Sequence, residues 1–193
     1  MKIFAPLYKK VMSWSRHPKA DRYLFGLSFA ESSFFPVPPD VMLAPMSLAK
    51  PDKAMYYALL TTIASVLGGV LGYIIGMGFY EWIQPLIEGQ GRWAGKYQIT
   101  RQWFEHWGIW AVFIAGFSPI PYKIFTITAG ILQMQFVPFL IASLIGRGAR
   151  FYLVAFLMKS GGARMEHKLE KYIDFLGWLV IILGIVFYFI YKL

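Results

Sequence analysis

Residues 54–79, AMYYALLTTIASVLGGVLGYIIGMGF, contain no charged side chain, and nothing else in the chain narrows its fold so far. A helix needs about 20 apolar residues to cross a hydrocarbon core of ~30 Å. Two further stretches meet that length, 136–158 (FVPFLIASLIGRGARFYLVAFLM) and 172–193, the latter uncharged from Phe175 to Tyr191. Charged residues are 15% of the 193 in the chain, against about 25% in soluble domains. Together these features predict an all-α integral membrane protein forming one bundle.

Two other apolar stretches cannot cross as simple helices. Residues 23–49 break at PVPPD, through Pro36, Pro38 and Pro39. Residues 108–135 break at SPIPYK, through Pro119 and Pro121. Proline removes an amide donor and pushes the preceding residue out of the helical region. Each stretch therefore reads as helix, broken tip, helix: a re-entrant hairpin. Backbone freed at such a tip is tolerated at membrane depth only where protein or a watery cavity covers it.

The breaks also resemble each other. PVPPDVM (36–42) and PIPYKIF (119–125) share the order Pro, β-branched, Pro, any residue, charge, apolar, apolar, and the spans that follow share IASVLGG (63–69) and IASLIGR (141–147). This predicts a duplication, with repeat 1 at 23–79 (hairpin 23–49, span 54–79) and repeat 2 at 108–158 (hairpin 108–135, span 136–158). Each unit crosses an odd number of times, so the two halves are inverted, as in many transporters. Small residues Ala64, Gly68, Gly72 and Gly76 recur every four positions, a stripe that lets another helix approach closely.

Three segments complete the plan. Residues 1–22 set Ile3, Phe4, Leu7 and Val11 against Lys2, Lys9, Lys10 and Arg16 and lack the continuous apolar core of a cleavable signal, so an N-terminal amphipathic helix on an anionic leaflet is expected. Residues 80–107, with Trp93, Tyr97, Phe104 and Trp107 on one helical face, read as an interfacial connector. Residues 172–193 form an extra C-terminal transmembrane helix. With a cytoplasmic N-terminus, segments 1–22, 50–53 and 159–171 place twelve Lys/Arg inside and four outside, the sense that the positive-inside rule favours.

Five charges then fall at depth: Glu31, Asp40, Lys123, Arg147 and Arg150. A charge at the bilayer centre costs about 2.5–3.5 kcal/mol on insertion scales, so these groups should pair, meet water or do work. The repeat puts Asp40 and Lys123 at equivalent positions, where they approach near the pseudo-twofold axis. Arg147 and Arg150 share a helix face. A site joining cations to carboxylates can receive an anionic headgroup on Lys123, Arg147 or Arg150, while Glu31 and Asp40 carry protons. The plainer alternative is a structural ion pair between Asp40 and Lys123 that staples the hairpins.

Other chemistry finds little footing. The net charge of +9 flanks apolar segments instead of forming a solvated patch, which argues against nucleic acid. No cysteine is present, and His17, His106 and His167 are dispersed, so no metal site, cofactor site or nucleophilic triad assembles and an enzyme is not expected. GGVLGYIIG lies inside an apolar span and reads as a packing face, not a nucleotide loop.

An acidic residue, a proline-rich break with Asp, a GGVLGYIIG span and then FSPIPYKIFTITAGILQM resemble the DedA family, also called SNARE-associated or VTT-domain membrane proteins. The closest likeness is to its small bacterial branch with a Pro-Ile-Pro-Tyr-Lys motif, over about residues 23–160. The resemblance implies two inverted re-entrant hairpins in a bacterial inner membrane. It implies a flippase or scramblase moving a phosphate-bearing lipid, such as undecaprenyl phosphate or a phospholipid, with proton coupling. Membrane lipids and protons are then the expected partners, and a homo-oligomer is compatible with the plan. The family's important acidic residues would fall on Glu31 and Asp40. Many members carry two arginines in the second hairpin; Gly116 stands at the first of those positions and Lys123 roughly replaces the second. An ion-coupled antiporter of a small solute and a structural membrane subunit are the alternatives that share these features.

Overall fold

The computed structural model describes residues 17, 19–34, 37–87, 92–118 and 121–161. Among them all regular structure is helical: α1 (Ala20–Ser33), α2 (Asp40–Ala49), a 3-10 turn at Pro51–Lys53, α3 (Ala54–Ile87), α4 (Arg92–Phe117), α5 (Tyr122–Ile131) and α6 (Phe136–Gly161). The expected amphipathic helix over 1–22, apart from its last residues, and the C-terminal span 172–193 lie outside the described residues, as do Pro36 and Pro119.

The breaks follow from the prolines. α1 ends as the Phe34 amide closes on the Ala30 carbonyl at 2.8 Å, and α2 starts directly after Pro38 and Pro39. Asp40 opens α2, where the helix N-terminus favours a carboxylate. The second break repeats the pattern, with α4 ending at Phe117 and α5 starting after Pro121. Arms of 14 residues (α1) and 10 residues (α2 and α5) reach only about 21 and 15 Å at 1.5 Å per residue. None of these arms can cross a bilayer alone.

One expected boundary is absent. Residues 80–107 do not form a separate connector: α3 continues past 79 to Ile87, and α4 runs unbroken from Arg92 to Phe117, joining the tryptophan-rich stretch to the first arm of the second hairpin. The stretch 92–117 contains no proline to stop it.

The long helix α3 is the axis of the bundle. α1 packs along its first half, with Ser28 Oγ donating to the Thr61 carbonyl (2.8 Å) and Ser33 Oγ to the Gly68 carbonyl (3.0 Å). α5 packs along its second half, where a Cβ on Gly130 would lie 2.9 Å from Gly76 Cα. Residue numbers rise together in both contacts, so α1 and α5 run parallel to α3 and follow one another along it. They meet at Gly72, where an added Cβ would strike Thr126 of α5 and approach the Ser32 carbonyl of α1 to 3.5 Å. α6 returns antiparallel, its Phe139 stacked on Tyr73 and its Phe151 in the cluster around Leu24, Tyr57 and Ala58.

Burial is inverted relative to a water-soluble bundle. On α3 most inward positions are small or polar (Ala58, Thr61, Ser65, Gly68, Gly72), with Tyr57, Val66 and Tyr73 the larger ones, whereas Leu59, Ile63, Leu67, Ile74 and Met77 face outward. α6 likewise buries Ala142, Ser143, Gly146 and Arg147 and exposes Ile141, Leu144, Ile145 and Leu153. Small residues inside and large aliphatics outside suit helices solvated by lipid. α3 and α6 are both long and apolar enough to cross a membrane.

The turn from α5 to α6 carries one backbone anomaly. The Met134 amide bonds the Ala129 carbonyl (2.9 Å) and the Gln133 amide the Gly130 carbonyl (3.1 Å), a Schellman C-cap. Gln133 takes the left-handed position, φ 54°, that glycine usually fills.

The close α3–α5 approach yields a sharp expectation. A Cβ at Gly76 would overlap the Ile127 carbonyl, whereas one at Gly78 meets nothing within 4 Å. Gly76→Val should lower stability by about 1–3 kcal/mol or more, as overpacking does. Gly78→Ala should be neutral or slightly stabilising. Thermal unfolding of the purified variants in detergent checks the contrast.

Candidate functional site

Arg147 is the largest fully buried side chain among the described residues, at 2% exposure. Its guanidinium is surrounded by partners from three other helices. Nη2 donates to Glu31 Oε2 (2.5 Å) and Ser32 Oγ (3.1 Å) of α1, and Nε donates to Ser65 Oγ (2.5 Å) of α3. The Tyr122 ring of α5 lies 4.9 Å from its Cζ on one side and Phe151 lies 4.7 Å away on another. Ser32 and Ser65 also share a 2.6 Å hydrogen bond. Tyr122 hydrogen-bonds Ser143 of α6, so the aromatic ring over Arg147 is itself fixed.

Of the three differences between the two similar motifs, one places Arg147 there. IASVLGG ends in Gly69 where IASLIGR ends in Arg147. A Cβ on Gly69 would sit 3.0 Å from the Tyr122 ring. Glycine on α3 thus leaves room for the tyrosine, and arginine on α6 uses its face.

One helical turn further along α6, Arg150 joins the two breaks. Nη2 donates to Asp40 Oδ2 (2.5 Å), at the start of α2, and Nη1 donates to the Ser118 carbonyl (2.5 Å), just past the end of α4. Lys123, at the start of α5, donates to the Phe34 carbonyl at the end of α1 (3.4 Å). Asp40 Oδ1 and Ser118 Oγ are buried and have no hydrogen-bond partner among the described residues. Exposure rises along the array, from Arg147 (2%) through Glu31 (13%) and Arg150 (19%) to Asp40 (24%).

Glu31, Asp40, Lys123, Arg147 and Arg150 are therefore brought to one region between the breaks, but not in the expected pairing. Asp40 pairs with Arg150 instead of Lys123, and Glu31 pairs with Arg147. Symmetry-equivalent positions need not touch; each carboxylate of the first broken segment meets α6 instead. Sequence reasoning did not assign Ser32, Ser65, Ser118, Tyr122 or Ser143. Ser65 and Ser143 were visible as matching letters in the two IAS motifs, and a hydroxyl one turn before a membrane arginine was the available signal. At Gly116 a side chain would press on the Arg147 backbone, at 3.2 Å from its nitrogen, so the cations come from α6.

Residues 37–160 match the family model described as the VTT domain. The chain belongs to this family, the VTT-domain or DedA membrane proteins. It is similar to an uncharacterized protein of Haemophilus influenzae, 48% identical over 192 residues and 100% of both chains. It is 31% identical over 131 residues, 64% of each chain, to a Staphylococcus aureus protein named undecaprenyl phosphate transporter A. A Bacillus subtilis protein of the same name is 29% identical over 92 residues, 43% of this chain and 46% of that one. No solved structure matches.

The two ion pairs should differ in their sensitivity to mutation. Removing one partner of a buried pair costs about 3–5 kcal/mol. Arg147→Ala, which strands Glu31 and two serines, should reach that range, and Arg150→Ala should cost less because its partners are more open. Unfolding of both variants in micelles tests the order, with Glu31→Gln/Arg147→Met recovering part of the first loss; equal losses would contradict it.

Proposed function

We propose that the protein moves a phosphate-bearing lipid between the leaflets of a bacterial inner membrane, as a flippase or scramblase, with undecaprenyl phosphate or a phospholipid as substrate. The observation that carries this reading is the array of carboxylate–guanidinium pairs at the meeting of two broken helices. Arginine presents a planar fork suited equally to carboxylate and phosphate. A phosphate entering from the more open side meets Arg150 first and displaces Asp40, whose protonation keeps the pocket neutral. Ser118 Oγ, buried without a partner beside Arg150, supplies a further donor. The acyl or prenyl tail stays in the bilayer along the aliphatic outer face of α3 and α6.

The reading includes an architecture. Segments 23–49 and 108–135 act as re-entrant hairpins from opposite leaflets, and repeats 23–79 and 108–158 are inverted copies. The succession of α1 and α5 along α3 supports it. So does a matched pair of close approaches. An added Cβ on Gly68 would strike the Phe29 carbonyl, and one on Gly146 would lie 2.6 Å from the Phe113 carbonyl. The N-terminus is cytoplasmic by charge distribution. The names of the two transporter relatives favour undecaprenyl phosphate among the lipid candidates.

The test is transbilayer movement of a labelled polyprenyl phosphate in proteoliposomes. Wild-type protein should exceed empty vesicles, and Arg150→Gln should lower the rate at least about tenfold, since a hydrogen bond to a charged group is worth about 1.5–3 kcal/mol. Asp40→Asn should remove the dependence on a proton gradient. Restored activity in Asp40→Arg/Arg150→Asp would identify the pair as a staple and overturn the reading.

A further inference from the structure

Ser47 of α2 takes no part in the array between the breaks. It is fully buried, and its Oγ has no hydrogen-bond partner among the described residues. The other buried helical hydroxyls are all partnered. Ser33, Thr61, Thr62 and Ser143 donate to the carbonyl four residues back at 2.7–2.9 Å. Ser28, Ser32 and Ser65 bond across to another helix, and Thr126 donates to the Lys123 carbonyl. Ser47 does not take the Leu43 carbonyl that the same geometry offers. A buried hydroxyl without a partner is unfavourable, so this one points to a small polar partner from outside the chain.

The position of Ser47 on α2 indicates what that partner connects. Asp40, Ala44 and Ser47 stand at i, i+4 and i+7 and share one helix face. Ser47 lies about 10 Å along the axis from Asp40 at 1.5 Å per residue. At the deep end, Asp40 Oδ1 is also buried and unpartnered. Between the two, half-buried Ala44 contributes only a methyl group, and Pro45 withholds the helical donor from the Val41 carbonyl. Past Ser47, α2 ends at Lys50 and the exposed turn Pro51–Lys53. Polar atoms short of partners thus mark α2 from the ion pair to its aqueous end. Buried water serves such groups, each molecule making about three hydrogen bonds.

We propose that this face of α2 holds a file of water molecules, and that Ser47 is the positioning residue through which Asp40 exchanges its proton with the side of the membrane where α2 ends. The proposal rests on the reading of Asp40 as a proton carrier. About three or four waters at ~2.8 Å spacing bridge the interval. The Asp40 carboxyl gives its proton to the nearest water, and the water at the mouth releases one to the bulk. The Ser47 hydroxyl donates one hydrogen bond and accepts another, so it passes a proton without net change. Several charged or titratable groups surround the path. Arg150 of α6 faces Asp40, Glu31 and Lys123 belong to the same region, Tyr57 of α3 lies in the cluster with Leu43 and Met46, and Lys50, Asp52 and Lys53 stand at the mouth. Among the described residues, Asp40 alone combines a carboxylate with a buried oxygen that lacks a partner.

The chain contains no cysteine, so single-thiol variants report access to the path. Silver ion is close to water in size and bonds the thiolate, a form that dry apolar surroundings suppress. Added to one side of sealed vesicles holding the full-length protein, silver should protect Ala44→Cys and Ser47→Cys from alkylation after unfolding. Protection should come from the same side as for the exposed Lys53→Cys, and severalfold faster than for Leu43→Cys on a neighbouring buried face. Protection of Ser47→Cys no faster than of Leu43→Cys, or from the opposite side, would overturn the proposal. In proteoliposomes, Ser47→Ala should lower the gradient-driven part of lipid movement about two- to tenfold, the worth of one hydrogen bond. Its gradient-independent movement and thermal stability should be kept, and Ser47→Thr should restore the driven part. An unchanged driven rate in Ser47→Ala would also overturn the proposal. Silver reaching Ser47→Cys in a protein that moves no lipid would contradict the transport reading alone and leave the file standing.

Discussion

The structure depends on keeping one guanidinium ionised and satisfied in an interior that offers almost no water. Arg147, buried among apolar helices, persists because Glu31 neutralises it, Ser32 and Ser65 accept hydrogen bonds from its Nη2 and Nε, and Tyr122 and Phe151 present ring faces. Each contact reaches a different part of the chain, so α1, α3, α5 and α6 are fixed relative to one another by a single side chain. Buried charge networks are stabilising only when every member is paired. Here each of the two charges has an opposite partner, and the packing around it uses serine, glycine and alanine because larger residues would hold the helices too far apart.

The second pair has the same chemistry in a looser setting. Arg150 also bridges separate segments, but it is one turn nearer the surface and its neighbours include two buried polar atoms without described partners. Arg147 ties α1, α3 and α6 together through its hydrogen bonds, while Arg150 bridges Asp40 and the Ser118 carbonyl in the more exposed setting. The short arms α2 and α5 matter here, since their starts at Asp40 and Tyr122 bring side chains to a depth that a continuous helix would fill with backbone.

Much of this was legible in the sequence. The uncharged run 54–79, the proline breaks and the charges inside apolar stretches announce a helical membrane protein with interrupted segments, because each violates a strong rule for soluble helices. The IAS motifs fall on α3 and α6, the two described helices long and apolar enough to cross a membrane. The pairing was not legible. Equivalence in the repeat suggested Asp40 with Lys123, but contact depends on how far each break lies from α6, which spacing along the chain does not encode. The continuity of α4 from Arg92 to Phe117 was hidden by tryptophans and charges that mimic an interfacial boundary. The C-cap at Gln133 escaped notice because glycine, its usual marker, is missing.

The most direct test of the central claim is a through-space nitrogen-to-phosphorus transfer experiment by solid-state NMR, on arginine-labelled protein in vesicles containing polyprenyl phosphate. The account predicts a guanidinium-to-phosphate contact that disappears in Arg150→Lys. Its absence in the unmodified protein, or its persistence unchanged in that variant, would contradict the claim that the two breaks form a phosphate-receiving site.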